Sequence, residues 1–198
     1  MKQIGLYFGS FNPIHIGHLV IANFVANYTE IDEVWMIVTP HNPHKEKGSL
    51  APEQDRLKMV ELATFDNLKV WAKDIEFNLP QPNYTINTLN HLKEEHPDAS
   101  FTLMMGEDNL KSLHKWKSYE EIISNYNILV YPRAQEEGKQ VSKDQNVDMS
   151  RITMCQAPVM NISSTFVRNC IKNQKDIRYL VVDEVIEYIS EHKLYEAQ

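Results

Sequence analysis

Four short runs of the chain are apolar almost without interruption, with Thr102 the one polar residue: Ile4–Phe8, Val34–Val38, Phe101–Met105 and Ile128–Tyr131. Strands half-covered by solvent alternate polar and apolar residues, whereas strands covered on both faces do not, so these four predict buried parallel strands. Arg151–Cys155 is a fifth, weaker run, and Leu68–Trp71 is a further candidate. Helical spacing fills the gaps. Leu19, Val20, Phe24 and Val25 form one face of a helix beginning near His15 to Gly17. Leu57, Val60, Glu61, Ala63 and Thr64 belong to a second helix after Pro52, and Tyr84 to His96 makes a third around Ile86, Leu89 and Leu92. Ser163 to Leu194 reads as helical, with Ser163-Ser164-Thr165 as a cap and a stripe of Val181, Val182, Val185, Ile186 and Ile189. Residues 132–150 are polar and read as a solvated, mobile loop. Strand alternating with helix predicts an α/β protein: a doubly wound parallel sheet, helices on both faces, and a small C-terminal helical part from about residue 163, as one domain over residues 1–198.

Composition narrows the class. The 198 residues are 42% hydrophobic and 24% charged, as in a soluble globular protein with a full core. No run approaches the roughly 18 apolar residues of a membrane span. Met1-Lys2 leads straight into the first strand, with no signal-peptide pattern, which implies a cytoplasmic protein. Cys155 and Cys170 have no metal-ligand spacing and read as reduced residues in or near the core. The net charge of −7 argues against non-specific nucleic-acid binding. An anionic substrate would need positive charge gathered locally.

The polar clusters follow the strands. Gly9-Ser-Phe-Asn-Pro-Ile-His-Ile-Gly-His18 comes after the first, and Thr39-Pro-His-Asn-Pro-His-Lys45 after the second. Gly106-Glu-Asp-Asn109, Tyr131-Pro-Arg133 and Ile162-Ser-Ser-Thr-Phe-Val-Arg168 follow later ones. In an open parallel sheet the carboxyl ends of the strands form one crevice, so segments distant in sequence converge there. The first cluster leads from a strand into a helix start, whose free N–H groups and positive dipole end suit phosphate. His15, His18, Lys45 and Arg168 add cationic character, Ser163, Ser164 and Thr165 add neutral donors, and Asp108 suits a sugar hydroxyl. The set fits a triphosphate. The P-loop pattern and a nucleophile elbow are both missing. Other readings stay open on the residues alone. His15 and His18 with His41 and His44 could ligate a metal, Lys45 could be a solvated lysine, and Arg168 could pair with an acidic neighbour. Trp35 reads as core, and Trp116 as either core or stacking platform.

Gly-Ser-Phe-Asn-Pro-Ile-His-Ile-Gly-His resembles the signature of the nucleotidyltransferase superfamily with the His-x-Gly-His motif, and Ile-Ser-Ser-Thr-Phe-Val-Arg resembles its second signature. Pro40-His-Asn-Pro-His-Lys45, Asn83-Tyr-Thr-Ile-Asn-Thr-Leu89, Met105-Gly-Glu-Asp-Asn-Leu110, Trp116-Lys-Ser-Tyr119 and the ending Ile189 to Tyr195 are similar to the bacterial nicotinate-nucleotide adenylyltransferase family. The departures are mild: Ser10-Phe11-Asn12 where Thr-Phe-Asp is frequent, Glu107 for glutamine, and Lys45 for arginine.

The resemblance implies a Rossmann-like fold and transfer of adenylyl from ATP to nicotinate mononucleotide, giving deamido-NAD and pyrophosphate. It implies an in-line displacement without a covalent intermediate, with Mg²⁺ held through the ATP phosphates and no protein metal site. It assigns ATP to Gly9, Ser10, Phe11, Gly17, Gly106, Asp108, Ile162, Ser163, Ser164 and Thr165, and catalysis to His15, His18, Lys45 and Arg168. His18 would serve the α-phosphate and His15 the β or γ side, with Lys45 and Arg168 at the leaving pyrophosphate. Asn83, Tyr84, Thr85, Trp116 and Lys117 would bind the mononucleotide, with Trp116 on the pyridine ring and Thr85 and N–H groups near Lys117 at its carboxylate. No nucleic acid or membrane is implied, and a homo-oligomer stays open. Nicotinamide-mononucleotide and pantetheine-phosphate adenylyltransferases, and a nucleotide-sensing module without turnover, are the rival readings. An aminoacyl-tRNA synthetase is disfavoured by chain length and charge.

Overall fold

Six parallel strands form one sheet in the order β3-β2-β1-β4-β5-β6. They are β1 (Lys2–Gly9), β2 (Glu33–Val38), β3 (Val70–Lys73), β4 (Ala99–Gly106), β5 (Asn127–Tyr131) and β6 (Ile152–Met154). The computed structural model describes residues 1–40, 50–133 and 149–196. Helices α1 (Ile16–Tyr28), α2 (Glu53–Thr64), α3 (Thr85–Glu95), α4 (Glu107–Ser112), α5 (Tyr119–Asn125), α6 (Ser164–Lys172) and α7 (Asp183–Glu191) connect and follow them. Winding runs outward in both directions from the β1–β4 pair, so the two halves of the sheet part there. Ligands of such sheets lie outside the carboxyl ends of the strands at this switch point.

Pleating divides each strand between two cores. Tyr7, Val34, Met36, Val38, Met104, Leu129 and Tyr131 face α1, α2, α6 and α7, where Val25, Met59, Val167, Val185 and Ile189 are buried. Ile4, Leu6, Trp35, Ile37, Leu103, Met105, Ile128 and Val130 face α3 and α5, where Leu89, Leu92 and Ile122 are buried. Covering on both faces accounts for the nearly unbroken apolar runs. The C-terminal helices α6 and α7 thus share the core of β1. Residues 173–182, expected as helix, form turns between them.

Several boundaries and faces differ from expectation. The third strand begins at Val70, and Leu68 is left exposed; the sixth is three residues long. Of the expected face of α1, Val25 is buried and Leu19 and Phe24 are partly buried, and the fully buried apolar side chains are Ile21, Ala22, Val25 and Ala26. The small Ala22 and Ala26 let the helix lie close to the sheet, and Leu19 and Phe24 pack along its flanks. Helix α2 buries Arg56, Met59, Val60 and Thr64 and leaves Glu61 in solvent. Among the described residues, no helix is long and apolar enough to cross a membrane.

Candidate active site

The carboxyl ends of β1, β4 and β5, with the start of α6, enclose a cleft of about 720 Å³. Gly9, Ser10, Phe11, His15, Gly17, His18, Asp108, Ile162, Ser163, Ser164, Thr165 and Arg168 line it. A smaller pocket of about 120 Å³ adjoins it, lined by Asn83, Tyr84, Thr85, Trp116 and Lys117 together with Thr39 and Glu76. Phe8, Gly9, Ser10 and Asn109 border both, so the two spaces meet at the end of β1. The ring of Phe11 folds back over Gly9, where any added Cβ would lie 2.8 Å from it. Gly9 is therefore required by this close approach.

The two imidazoles hold each other. Their rings stack at 3.7 Å between centroids, 21° from parallel. The backbone N–H of His15, at the N-cap of α1, donates to His18 Nδ1 at 3.3 Å. With Nδ1 accepting, the His18 ring proton belongs on Nε2. The His15 ring is 5% exposed, and burial, reinforced by the nearby Arg133 guanidinium, lowers its pKa from 6.5 to about 4. In the fold by itself His15 is accordingly a neutral ring at pH 7. Its Nδ1 is buried without a hydrogen-bond partner.

The second signature clamps the first. Ser164 Oγ donates to Pro13 O at 2.9 Å, and Arg168 Nη1 donates to Asn12 O at 2.8 Å. Arg168 Nη2 reaches Thr165 Oγ1 at 3.3 Å, so among the described residues Arg168 is held by oxygen dipoles of the loop and the helix rather than by an acidic neighbour. Tyr195, from the end of the chain, donates to Asn12 Oδ1 at 2.8 Å. Ser163 caps α6 as expected, accepting from Phe166 N at 3.1 Å. The N–H groups of Ser164 and Thr165 then have no partner within the helix, and both residues line the cleft.

Two expected contacts change character. Asp108 Oδ1 is ion-paired with Arg133 Nε at 3.2 Å. Gly106 does not line the cleft; a Cβ there would meet Asp108 and Arg133 within 2.7 Å, so its lack of a side chain makes room for that pair. Lys45, His41 and His44 lie outside the described residues, as does most of the 132–150 loop. Trp35 is in the core, 8% exposed, and Trp116 is half-buried on the wall of the smaller pocket. Lys117 Nζ lies 4.4 Å from the Tyr84 ring centroid. Helix α3 starts at Thr85 beside the pocket without a side-chain cap, so the first two N–H groups have no partner within the helix.

Residues 6–170 match the family model described as cytidylyltransferase-like. The chain belongs to this family. Within it, a relative from Flavobacterium johnsoniae named probable nicotinate-nucleotide adenylyltransferase is 52% identical over 193 residues, covering 98% of both chains. A Bacteroides fragilis relative of the same name is 44% identical over 187 residues, covering 94% of this chain and 90% of its own. The family fold is also that of the Plasmodium falciparum nicotinic acid mononucleotide adenylyltransferase complexed with NaAD. That structure is 21% identical, has a TM-score of 0.80 and covers 98% of each chain.

Three buried or cleft-lining groups escape sequence reasoning. Arg56, 1% exposed, donates to Ser10 O, Thr39 O and Pro40 O at 2.7 Å each and to Ala51 O at 3.0 Å, tying the loops after β1 and β2 to α2. Its signal was present: Arg56 stands at i, i+3, i+4 spacing with Met59 and Val60. Glu76, 2% exposed, accepts from Thr88 Oγ1 at 2.8 Å, and its backbone carbonyl accepts from Asn83 Nδ2 at 2.9 Å. Nothing in its neighbours' pattern marks it as buried. Arg133 belongs to a cluster visible in the sequence, yet its place beside Asp108 and His15 required the fold.

Proposed function

We propose that the chain transfers the adenylyl group of ATP to the phosphate of nicotinate mononucleotide, releasing pyrophosphate and forming deamido-NAD. The junction of a triphosphate-sized cleft with a ring-sized pocket at Gly9 and Ser10 carries this reading. ATP occupies the larger space and the mononucleotide ring the smaller, which brings the acceptor phosphate and the α-phosphate of ATP together at the end of β1. The relatives named above support the same reaction.

An acceptor phosphate is already ionised at neutral pH, so the residues supply positioning and charge stabilisation rather than a general base. Attack forms the bond to the α-phosphorus as its bond to the bridging oxygen breaks, and the electron pair leaves on pyrophosphate. His18 donates Nε2–H to the α-phosphate, where charge builds. Neutral His15 fixes the His18 ring by stacking and faces the β- and γ-phosphates. Arg168 has donors beyond the two engaged with Asn12 and Thr165, and these, with Lys45, neutralise the leaving pyrophosphate. The open N–H groups of Ser164 and Thr165 cradle it. Asp108 binds the ATP ribose, and Ser10 touches a phosphate. Mg²⁺ enters with ATP as part of the substrate, held by phosphate oxygens and water; the carboxylate lining the cleft, Asp108, is ion-paired.

In the smaller pocket Trp116 stacks on the pyridine ring, and Asn83 and Tyr84 complete the wall. The nicotinate carboxylate accepts from Thr85 and from N–H groups near Lys117. Donors alone favour a carboxylate over a carboxamide, which brings its own N–H₂. The test is pyrophosphate release from ATP and Mg²⁺ with nicotinate and nicotinamide mononucleotides side by side. Preference for the acid is the expected result. Preference for the amide would overturn the carboxylate site, and no release with either would overturn the reaction.

A further inference from the structure

Glu76 is the residue that the mechanism above leaves unused. It is 2% exposed, yet it lines the smaller pocket. Thr88 donates to one carboxyl oxygen at 2.8 Å, whereas Oε2 is buried with no donor in good hydrogen-bond geometry, the Thr39 hydroxyl being the other donor group near the carboxyl. Asn83 Oδ1, in the same wall, is also buried without a partner. A buried carboxyl oxygen left unpaired is costly, and its presence on a binding wall points to a group that arrives with the ligand. Burial holds the Glu76 carboxyl above the usual carboxylate range, opposed by the Thr88 hydroxyl and by that of Thr39. The pocket that faces a donor-rich helix start therefore also contains an acidic group.

These two features have opposite polarity. The uncapped first turn of α3, at Thr85, and the exposed Lys117 favour negative charge. Glu76 favours positive charge. A pocket with both poles fits a zwitterion. On the reading that the acceptor is nicotinate mononucleotide, the ligand is one: its ring carries a carboxylate and, through the glycosidic bond at the ring nitrogen, a permanent positive charge. We infer that Glu76 is the counter-charge for the cationic pyridinium ring, and so determines specificity for a charged ring. A positive charge beside it favours the ionised carboxylate, so binding the ring and ionising Glu76 reinforce each other. Asn83 Oδ1, buried without a partner in the same wall, is a second acceptor for the ring's polarised C–H groups.

The test separates ring charge from shape. Binding and KM are measured for nicotinate mononucleotide and for its isosteric C-riboside, in which carbon replaces the ring nitrogen. The carboxylate, ribose and phosphate stay, and the ring charge goes. Trp116 also prefers a cationic ring, so the informative quantity is how Glu76→Gln changes the ratio between the two ligands. The expected result is about a tenfold or greater loss for the pyridinium ligand and less than about twofold for the neutral one. Glu76→Asp keeps the charge and preserves the parent's discrimination, which leaves the inference testable if the Gln variant is unfolded. Equal losses for both ligands, or none for either, would overturn the inference and leave the proposed reaction standing. Failure of the parent protein to bind nicotinate mononucleotide would overturn both.

Discussion

Replacing Arg56 with methionine should destabilise the protein and disorganise both pockets together. The guanidinium is buried and satisfied by four backbone carbonyls, with no carboxylate among those partners. Hydrogen bonds from a charged donor contribute roughly 1.5–3 kcal/mol each, and the desolvation of a buried guanidinium offsets several kcal/mol of that sum. Methionine fills much of the volume but leaves the carbonyls of Ser10, Thr39, Pro40 and Ala51 without a donor. The net loss is on the order of 3–5 kcal/mol, a large share of the roughly 5–15 kcal/mol that typical domains possess. Lysine should recover less than half, because one ammonium cannot reproduce the planar fork. Urea unfolding checks the magnitude as a lower midpoint at unchanged slope. Because Ser10 borders both pockets, pyrophosphate release should also fall, by roughly a hundredfold for a displacement near 1 Å. A methionine variant within about 1 kcal/mol of the parent would refute the account, since four unpaired buried carbonyls should not be that cheap.

The depressed pKa of His15, about 4 against 6.5 unfolded, means that the unfolded chain binds the extra proton first as pH falls. Stability should drop between pH 6.5 and 4, by on the order of 3 kcal/mol from this group; His15→Asn should flatten that slope in urea melts, and parallel slopes would contradict the burial argument. His18→Ala should lower kcat by several orders of magnitude while the fold survives with only a modest loss of stability from the missing His15 N–H bond and ring stack; parental turnover would remove His18 from the transition state. Trp116→Ala should chiefly raise KM for the mononucleotide while leaving KM for ATP in place; an unchanged mononucleotide KM would refute stacking. Ser163→Ala should cost about 1 kcal/mol of stability through loss of its bond to Phe166 N, measurable by the same melts.

What the sequence by itself determined was the set of periodic and positional facts. Nearly continuous apolar runs specified a sheet covered on both faces, and polar clusters after those runs specified the edge where the two pockets open. Both depend on local order along the chain, and the six strands and the residues lining the two pockets agree with them. Ser163 was legible as a cap for the same reason, because a cap acts within its own turn. Charge state and pairing were decided only by the tertiary structure. His15 is a titratable ring near neutral pH by sequence and is held neutral to about pH 4 in the fold, because burial and Arg133 act on it through space. Three of the four carbonyl partners of Arg56 lie 16 to 46 positions away, the Thr88 partner of Glu76 12 and the members of the Asp108–Arg133 pair 25 apart, separations that no local pattern encodes. The helix faces followed the same rule. On α1 the small side chains Ala22 and Ala26, rather than the larger Leu19 and Phe24, set which side meets the sheet, because close packing rewards fit as well as hydrophobicity.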